Sequence, residues 1–490
     1  MNATEAATVP CARMPEIARG LFADGGRMQM AYAWHPEPGT VELRYLASPP
    51  EAGRFLLWRC RPAGDPPSLA RIWPSLGWYE REMMDLFGIA FRDHPEPSRL
   101  VLAEDIPPPF DGHDPARAQR MGDIPRPLLQ IEAPEVQTLP FGPVRADVLE
   151  SAEFTFFYIG EQIIHYHPHL FFKHRGMEAR FAGLTPLLGT VLAERVSGVG
   201  SVAHALAYCQ AIEAASSCAV PKRALVLRVL LAELERIYNH LHYLGHLANT
   251  TTLKVGEAQG KLLEERAKQI NGRLTGSRFL RGLLVPGGLR RDLAPGEWLS
   301  PALEELRAET ARYVDLLERS DSHLDRLITT GVLRRTVALD QGATGPVQRA
   351  SGIDRDLRRD HPYAAYADLP LVVPVRSEGD AYARSAVRAA EIDAAIAIMQ
   401  RVLLLLEDGP VRADCAPAPG AEGLGWAESP RGTLFYAVHL GADGRLARVK
   451  IKSPSYSNWR VFPFTVHETN MMDYAINEAS FGLTIAGCAR

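Results

Sequence analysis

Cysteine is scarce and scattered in this chain. Six cysteines among 490 residues, at positions 11, 60, 209, 218, 415 and 488, form no CxxC pair. A disulfide framework is therefore not expected, and a reducing, cytoplasmic setting is. Long apolar runs are also lacking. Ala224–Leu234 is interrupted by Arg228, and Ala394–Leu406 by Gln400 and Arg401. Neither reaches the ~18–20 apolar residues that span a bilayer, so contact with a membrane is expected only through partners. The opening MNATEAATVPCARMPEIARG has no apolar h-region, and no secretory signal is expected. A surplus of one charge is missing too: 54 Lys+Arg against 58 Asp+Glu leaves −4. Nucleic-acid binding needs a dense positive face, so no nucleic-acid partner is expected.

What is present is ordinary for a soluble globular protein. Hydrophobic residues make up 46% and charged residues 23%, which excludes a disordered or fibrous chain. At about 150 residues per domain, the length predicts two to four domains. The runs MQMAYAWH, VELRYLA and FLLWRC read as strands and PSLGWYEREMMDLFGI as a helix, giving an α/β unit over 1–104. Prolines at 107, 108, 109, 115, 125, 127, 134, 140 and 143 make 105–143 an extended linker. Beyond it, 144–490 reads as a mainly helical domain with β edges. A hairpin is expected over Asp147–Ile164, turning near Gly160, and strands return from Thr433. Arg223–Leu247 carries a wide apolar stripe, and Gly256–Leu284, Pro301–Thr330 and Ala381–Glu407 read as further long helices. The fold class is α+β.

Single motifs are ambiguous. Gly198-Val199-Gly200-Ser201-Val202-Ala203 fits GxGxxA, but a dinucleotide fingerprint needs a preceding strand, and TPLLGTVLAER reads as helix. His165, His167 and His169 alternate, and His242 and His246 lie four apart, without a third metal ligand nearby. Glu233, Glu235, Arg228 and Arg236 lie in a helix apolar nearly all round, so they either pair inside a bundle or face solvent.

Taken together, the segments resemble known families. Trp78–Glu82, Asp85, Phe87–Ile89, Phe91, His94 and Pro95 match the W-Y-E-R-E-x-x-D-x-F-G-I-x-F-x-x-H-P run of the C-type subunit of NADH–quinone oxidoreductase, complex I. LPFGPVRADVLE (139–150), HRGMEARF (174–181), ERVSGVGSVAH (194–204), LRVLLAELERIYNHLHYLG (227–245) and PSYSNW (454–459) resemble the D-type subunit of the same enzyme. They resemble still more the large subunit of membrane-bound [NiFe] hydrogenases of the formate hydrogenlyase and hydrogenase-4 type, which carry the same C–D fusion.

The departures define the expectation. Such hydrogenases hold nickel and iron through four cysteines, in R-x-C-G-x-C-x-x-x-H and D-P-C-x-x-C-x-x-R motifs. The four positions here are Ser197, Gly200, Thr484 and Gly487, and Cys488 is one place out of register. The resemblance thus implies no metal and no tightly held cofactor in this chain. It places Glu178 of R-G-x-E as a proton-relay carboxylate of raised pKa, with ion pairing to Arg175 or Arg180 as the structural alternative. His204 and Arg431 correspond to groups beside the metals, and Arg175 joins Glu178, His204 and Arg431 as a catalytic candidate. Arg195 and Arg490 flank the ligand motifs. In complex I the equivalent cavity takes quinone through a histidine, which here is Arg145, with Leu149 at the second histidine. Arg145, His174 and Arg195 are expected to bind a small acceptor, with quinone one possibility, in a polar cavity against an iron–sulfur subunit.

The implied assembly is an energy-converting hydrogenase-related complex. Its partners are an iron–sulfur small subunit, similar to the B-type subunit of complex I and holding a [4Fe–4S] cluster, and, in the membrane, antiporter-like proteins and a protein similar to the H-type subunit. The chain would lie on the cytoplasmic face of the inner membrane. A non-catalytic adaptor and a formate hydrogenlyase-type hydrogenase component are the alternatives. No NAD site is visible.

Overall fold

The computed structural model describes residues 3–37, 39–50, 53–102, 106, 131–144, 150–467 and 469–490. Most of the proline-rich linker, and Asp147–Leu149 of the expected hairpin, lie outside the described residues. The N-terminal unit is a four-stranded sheet in the order β1-β4-β3-β2. Its strands are β1 (Ala3–Thr8), β2 (Arg27–Trp34), β3 (Glu42–Ser48) and β4 (Arg54–Cys60). β1 runs parallel to β4, and the remaining pairs are antiparallel. Helix α1 (Met14–Ala23) precedes β2. The W-Y-E-R-E run forms α2 (Gly77–Phe87), which ends where Gly88 turns left-handed at φ 64°. α2 is buried from Tyr79 to Phe87, charged residues included. A surface helix would show a polar face. Its charges must therefore be paired inside.

The larger unit begins with an antiparallel sheet of β5 (Gln137–Phe141), β6 (Glu153–Ile159) and β7 (Gln162–His169). Short helices α3 (Met177–Arg180) and α4 (Pro186–Ala193) lead into α5 (Ser201–Ala215), α6 (Lys222–Thr250) and α7 (Lys254–Thr275). A two-stranded turn, β8 (Leu284–Val285) and β9 (Gly288–Leu289), precedes α8 (Leu299–Glu318) and α9 (Ala381–Leu405). An antiparallel sheet follows, of β10 (Glu422–Ser429), β11 (Gly432–Leu440) and β12 (Leu446–Lys452). The chain then forms α10 (Pro454–Val461), α11 (Tyr474–Phe481) and α12 (Ile485–Cys488). α6 packs on α7 and α9, while α5 lies across β10 and β11. That last contact is close enough to require glycine. A Cβ at Gly423 or Gly425 would run into the carbonyl of Ala211 or Ala207 on α5.

Two expected helices are shorter than their apolar pattern. The stretch 256–284 leaves the helix after Thr275, because Gly276 adopts φ 69° and caps it. The stretch 301–330 breaks at Arg319–Ser320 into α8 and a short helix over Asp321–Leu327. No strand precedes the GxGxxA run; α4 does, so it is not a nucleotide-binding turn. Among the described residues, no helix is long and apolar enough to cross a membrane.

Candidate functional site

The residues singled out by the two hydrogenase-like motifs converge on one stretch, 482–490. Glycine at 482 turns left-handed, φ 65°, and starts the segment. Arg431, in the tight turn between β10 and β11, donates through Nη1 to the carbonyl of Gly482. Glu150 accepts the backbone N–H groups of Ile485 and Ala486 (the latter at 3.0 Å), at the start of α12. Arg175 donates to Ala486 O at 3.0 Å, and also to Val196 O and to Arg195 O at 3.2 Å. One guanidinium thus ties the 195–200 loop to the 482–490 segment. Ser453 donates to Gly487 O. Burial pushes the Arg431 guanidinium down to about 10, with Arg388 adding to the effect. The Nε groups of Arg175 and Arg431 are buried and have no hydrogen-bond partner among the described residues.

Arg490 closes the segment into a buried charge cluster. Its Nε lies 2.9 Å from Glu178 Oε1, and its Nη2 lies 3.1 Å from Glu82 Oε2. Lys450 reaches Glu82 at 2.6 Å and Glu178 at 3.3 Å, while Arg448 holds Glu178 Oε2 at 3.0 Å. Glu178 also accepts the N–H of Ile451 at 3.0 Å. Glu178 was expected to carry a raised pKa, and the structure corrects this. Burial alone would raise it, but Lys450, Arg448 and Arg490 hold its carboxyl well below the usual range. Its partners are not Arg175 or Arg180, which bond backbone carbonyls. Glu82 comes from α2 in the N-terminal unit, 408 residues from Arg490 in sequence. It too is held low: burial raises it, and Arg490 and Lys450 outweigh that.

His204, on the first turn of α5, is buried at 3% exposure and pairs through Nδ1 with the Tyr436 hydroxyl at 2.8 Å. Burial pushes it down to about 3, helped by Arg175 and Arg490, so the imidazole is neutral. Glu235 caps the same helix, accepting the N–H groups of Val202 and Ala203 at 2.7 and 2.9 Å. His174 is exposed on the surface with Glu82 and Glu178 as charged neighbours, and partial desolvation lowers its pKa. Arg195 is not brought into the site. Its side chain is half exposed and turns back to Val191 O at 2.8 Å and Glu194 at 3.5 Å. Arg145 lies outside the described residues, as does Leu149. Clefts of about 340 and 460 Å³ open between the N-terminal unit and the rest, the first beside Trp78 and Phe171 and the second beside Tyr32 and His439. Neither is lined by Glu178, His204 or Arg431.

The four former ligand positions do not fit a nickel–iron centre held by thiolates. Gly200 and Gly487 offer no side-chain donor, and Ser197 is a buried hydroxyl. Thr484 is the N-cap of α12: its Oγ1 accepts Gly487 N–H at 3.2 Å and lies 3.2 Å from Ser455 Oγ. A side chain at 487 would meet that hydroxyl at 2.6 Å. Cys488 is buried, and burial pushes its thiol up.

A second buried network was not foreseen as a unit. Arg349 contacts Glu391 at 2.6 Å and Glu428 at 3.0 Å, and Arg358 contacts Asp356 at 2.7 Å and Glu233 at 3.1 Å. Arg236 contacts Glu233 at 3.0 Å and Glu391 at 3.2 Å, and donates to Glu428 O at 2.7 Å. The charges of α6 therefore pair inside rather than facing solvent. The network ends on Glu428 and Ser429, with only Pro430 before Arg431, and so fixes the turn from which Arg431 reaches Gly482. The signal available in the sequence was charge in an all-apolar helix; its partners were not readable.

Comparison with known proteins agrees with this layout. Residues 8–121 match the family described as respiratory-chain NADH dehydrogenase, 30 Kd subunit, and residues 262–418 the 49 Kd subunit. Residues 175–269 match nickel-dependent hydrogenase. The chain is similar to formate hydrogenlyase subunit 5 of Escherichia coli strain K12, at 31% identity over 83% of this chain and 74% of that one. It is 27% identical to the C/D subunit of NADH-quinone oxidoreductase from Rhodopseudomonas palustris strain BisB5, over 80% of this chain and 76% of the other. A chain in the structure of the membrane-bound sulfane sulfur reductase (MBS), an archaeal respiratory membrane complex, superimposes with a TM-score of 0.68. It shares 25% identity, over 73% of this chain and 99% of that one. The chain belongs to the family of formate hydrogenlyase subunit 5, and it carries 30 Kd-type, hydrogenase-type and 49 Kd-type regions in one polypeptide.

Proposed function

We propose that this component of a complex I-like, hydrogenase-related membrane complex passes electrons from a partner's [4Fe–4S] cluster to a small acceptor without a [NiFe] centre of its own. The observation that carries the reading is the pair of partly exposed arginines, Arg175 and Arg431, that flank the former ligand loops with buried, unused Nε–H groups. Two cationic donors beside Ser197 and Thr484 suit a carbonyl or anionic oxygen, as in a quinone, better than a soft metal. The iron–sulfur partner would be similar to the B-type subunit of complex I. Antiporter-like and H-type proteins would lie in the membrane, with the chain on its cytoplasmic face. Coupling to ion movement belongs to the same reading. No proton relay through Glu178 is included, because four donors hold that carboxylate ionised.

A structural adaptor is the second reading. It is favoured by the fact that Arg175, Arg431 and Glu150 all bind the backbone of 482–486. The test uses the purified complex. Nickel and iron are measured first, then quinone reduction by the parent, Arg431→Ala and Glu178→Gln. Iron without nickel, with turnover lost in Arg431→Ala while the complex stays assembled, supports electron transfer to an acceptor. Nickel near one per chain refutes the reading. Full turnover in both variants leaves the adaptor.

A further inference from the structure

We propose that Cys218 and Cys415 are a modification site: a thiol pair that closes to a reversible disulfide when a hydroperoxide oxidises the protein. Cys218 follows α5, and Cys415 lies in the segment that leads into β10. The two backbones cross-contact at both cysteines. The Cys218 thiol donates to Asp414 O at 3.5 Å, and Ser216 Oγ lies 2.9 Å from Cys415 Sγ. Both strands of this contact are anchored to Glu213. Its carbonyl accepts Cys218 N–H at 2.9 Å, and its Oε1 accepts Gly287 N–H at 2.8 Å. Gly287 in turn accepts Ala413 N–H at 2.9 Å, and a Cβ there would lie 3.3 Å from Cys415 Cβ. The pair is therefore placed by a fixed frame rather than by a loose loop.

Both residues are partly exposed, whereas Cys209 and Cys488 are fully buried. The Cys218 thiol lies at the exposed edge of the contact and meets the peroxide first, while burial pushes the Cys415 thiol up to about 11. The Cys218 thiolate attacks one peroxide oxygen: an S–O bond forms, the O–O bond breaks, and hydroxide leaves and is protonated to water. The Cys415 sulfur then attacks the sulfenic acid: the S–S bond forms, the S–O bond breaks, and a second water leaves. The two thiols lose two electrons and the peroxide gains them. Closure joins the end of α5, the helix of His204, to the approach to β10, the strand that precedes Arg431. It would restrain these two elements against each other.

The purified protein with its co-purifying partners is exposed to hydrogen peroxide, its free thiols are alkylated, and the peptides are mapped without reduction. The expected result is a linked 218–415 peptide, a loss of two alkylated cysteines, and recovery of both with dithiothreitol. Cys218→Ser and Cys415→Ser should each abolish that peptide; Cys218→Ser leaves Cys415 alkylated, and Cys415→Ser leaves a sulfenic acid at Cys218 that dimedone traps. Equal alkylation of both cysteines before and after oxidation overturns the proposal. So does linkage of either one to another cysteine. The proposal does not depend on the acceptor reading.

Discussion

Replacing Glu82 by glutamine keeps the shape of the side chain and removes one of two carboxylates from the cluster with Arg448, Lys450 and Arg490. Before the change, three cations face two carboxylates. Afterwards they face Glu178 alone. Lys450 and Arg490 are 1% and 3% exposed, so solvent does little to screen the surplus charge. Removing one partner of a buried ion pair costs about 3–5 kcal/mol. Since 1.4 kcal/mol is a factor of ten, at least about a 100-fold rise in local opening is expected. Hydrogen exchange read by mass spectrometry on peptides from β12 and 482–490 measures it directly. The β5–β7 sheet serves as the internal reference. The pH dependence has a definite sign. Glu82 and Glu178 both sit below their ordinary value of 4.5 when folded. Their contribution is complete above about 4.5 and fades as pH falls toward the folded values. The same peptides should therefore lose protection in the parent below pH 4.5. Less than a threefold change in Glu82→Gln at neutral pH would refute the argument that this carboxylate secures the C-terminal segment.

Asp85→Ala removes the acceptor of the buried Val101 N–H, now held at 2.7 Å. A loss of roughly 1–3 kcal/mol in urea unfolding is expected. Gly345→Ala puts a Cβ into Arg431 O and Gly432 at φ 67°, ψ −147°, a region held by glycine alone. Destabilisation of about 2 kcal/mol or more, centred on the β10–β11 turn by hydrogen exchange, is expected. His204 should show neutral imidazole signals in ¹⁵N NMR from pH 8 down to 5. With its folded value near 3 and its ordinary value 6.5, it opposes folding increasingly as pH falls below 6.5.

How far the sequence could be read depended on whether the determinants were local. α2, β2, β3 and β4 carry their own apolar periodicity and capping glycine, and so were placed within a few residues. Arg175, Glu178, Thr484 and Arg431 could be found because short motifs mark them. Their partners could not: Glu178 meets Arg448 and Arg490, and Glu82 meets Lys450, across hundreds of residues, and nothing in the spacing encodes that. Without those cations in view, burial alone argued for a raised Glu178 pKa. The strand β10 was missed for a related reason. Gly423 and Gly425 weaken strand propensity locally, yet the approach of α5 demands them. β1 is exposed over Thr4–Thr8 and has no apolar alternation to betray it. Periodicity also ran past Gly276, where a single residue of positive φ ends α7.

The Glu82–Arg490 contact has a consequence for how the protein is built. Glu82 comes from the N-terminal unit and its cationic partners from the C-terminal part of the same polypeptide. Were the two units separate chains, this contact would form by bimolecular encounter, and its occupancy would fall with dilution. Covalent attachment replaces protein concentration by an effective concentration, in the millimolar range for short flexible tethers, fixed by the chain itself. Assembly of the charged cluster is then first-order and insensitive to expression level. A split version, cut between the units, should show a concentration-dependent loss of order in 482–490 that the fused chain does not.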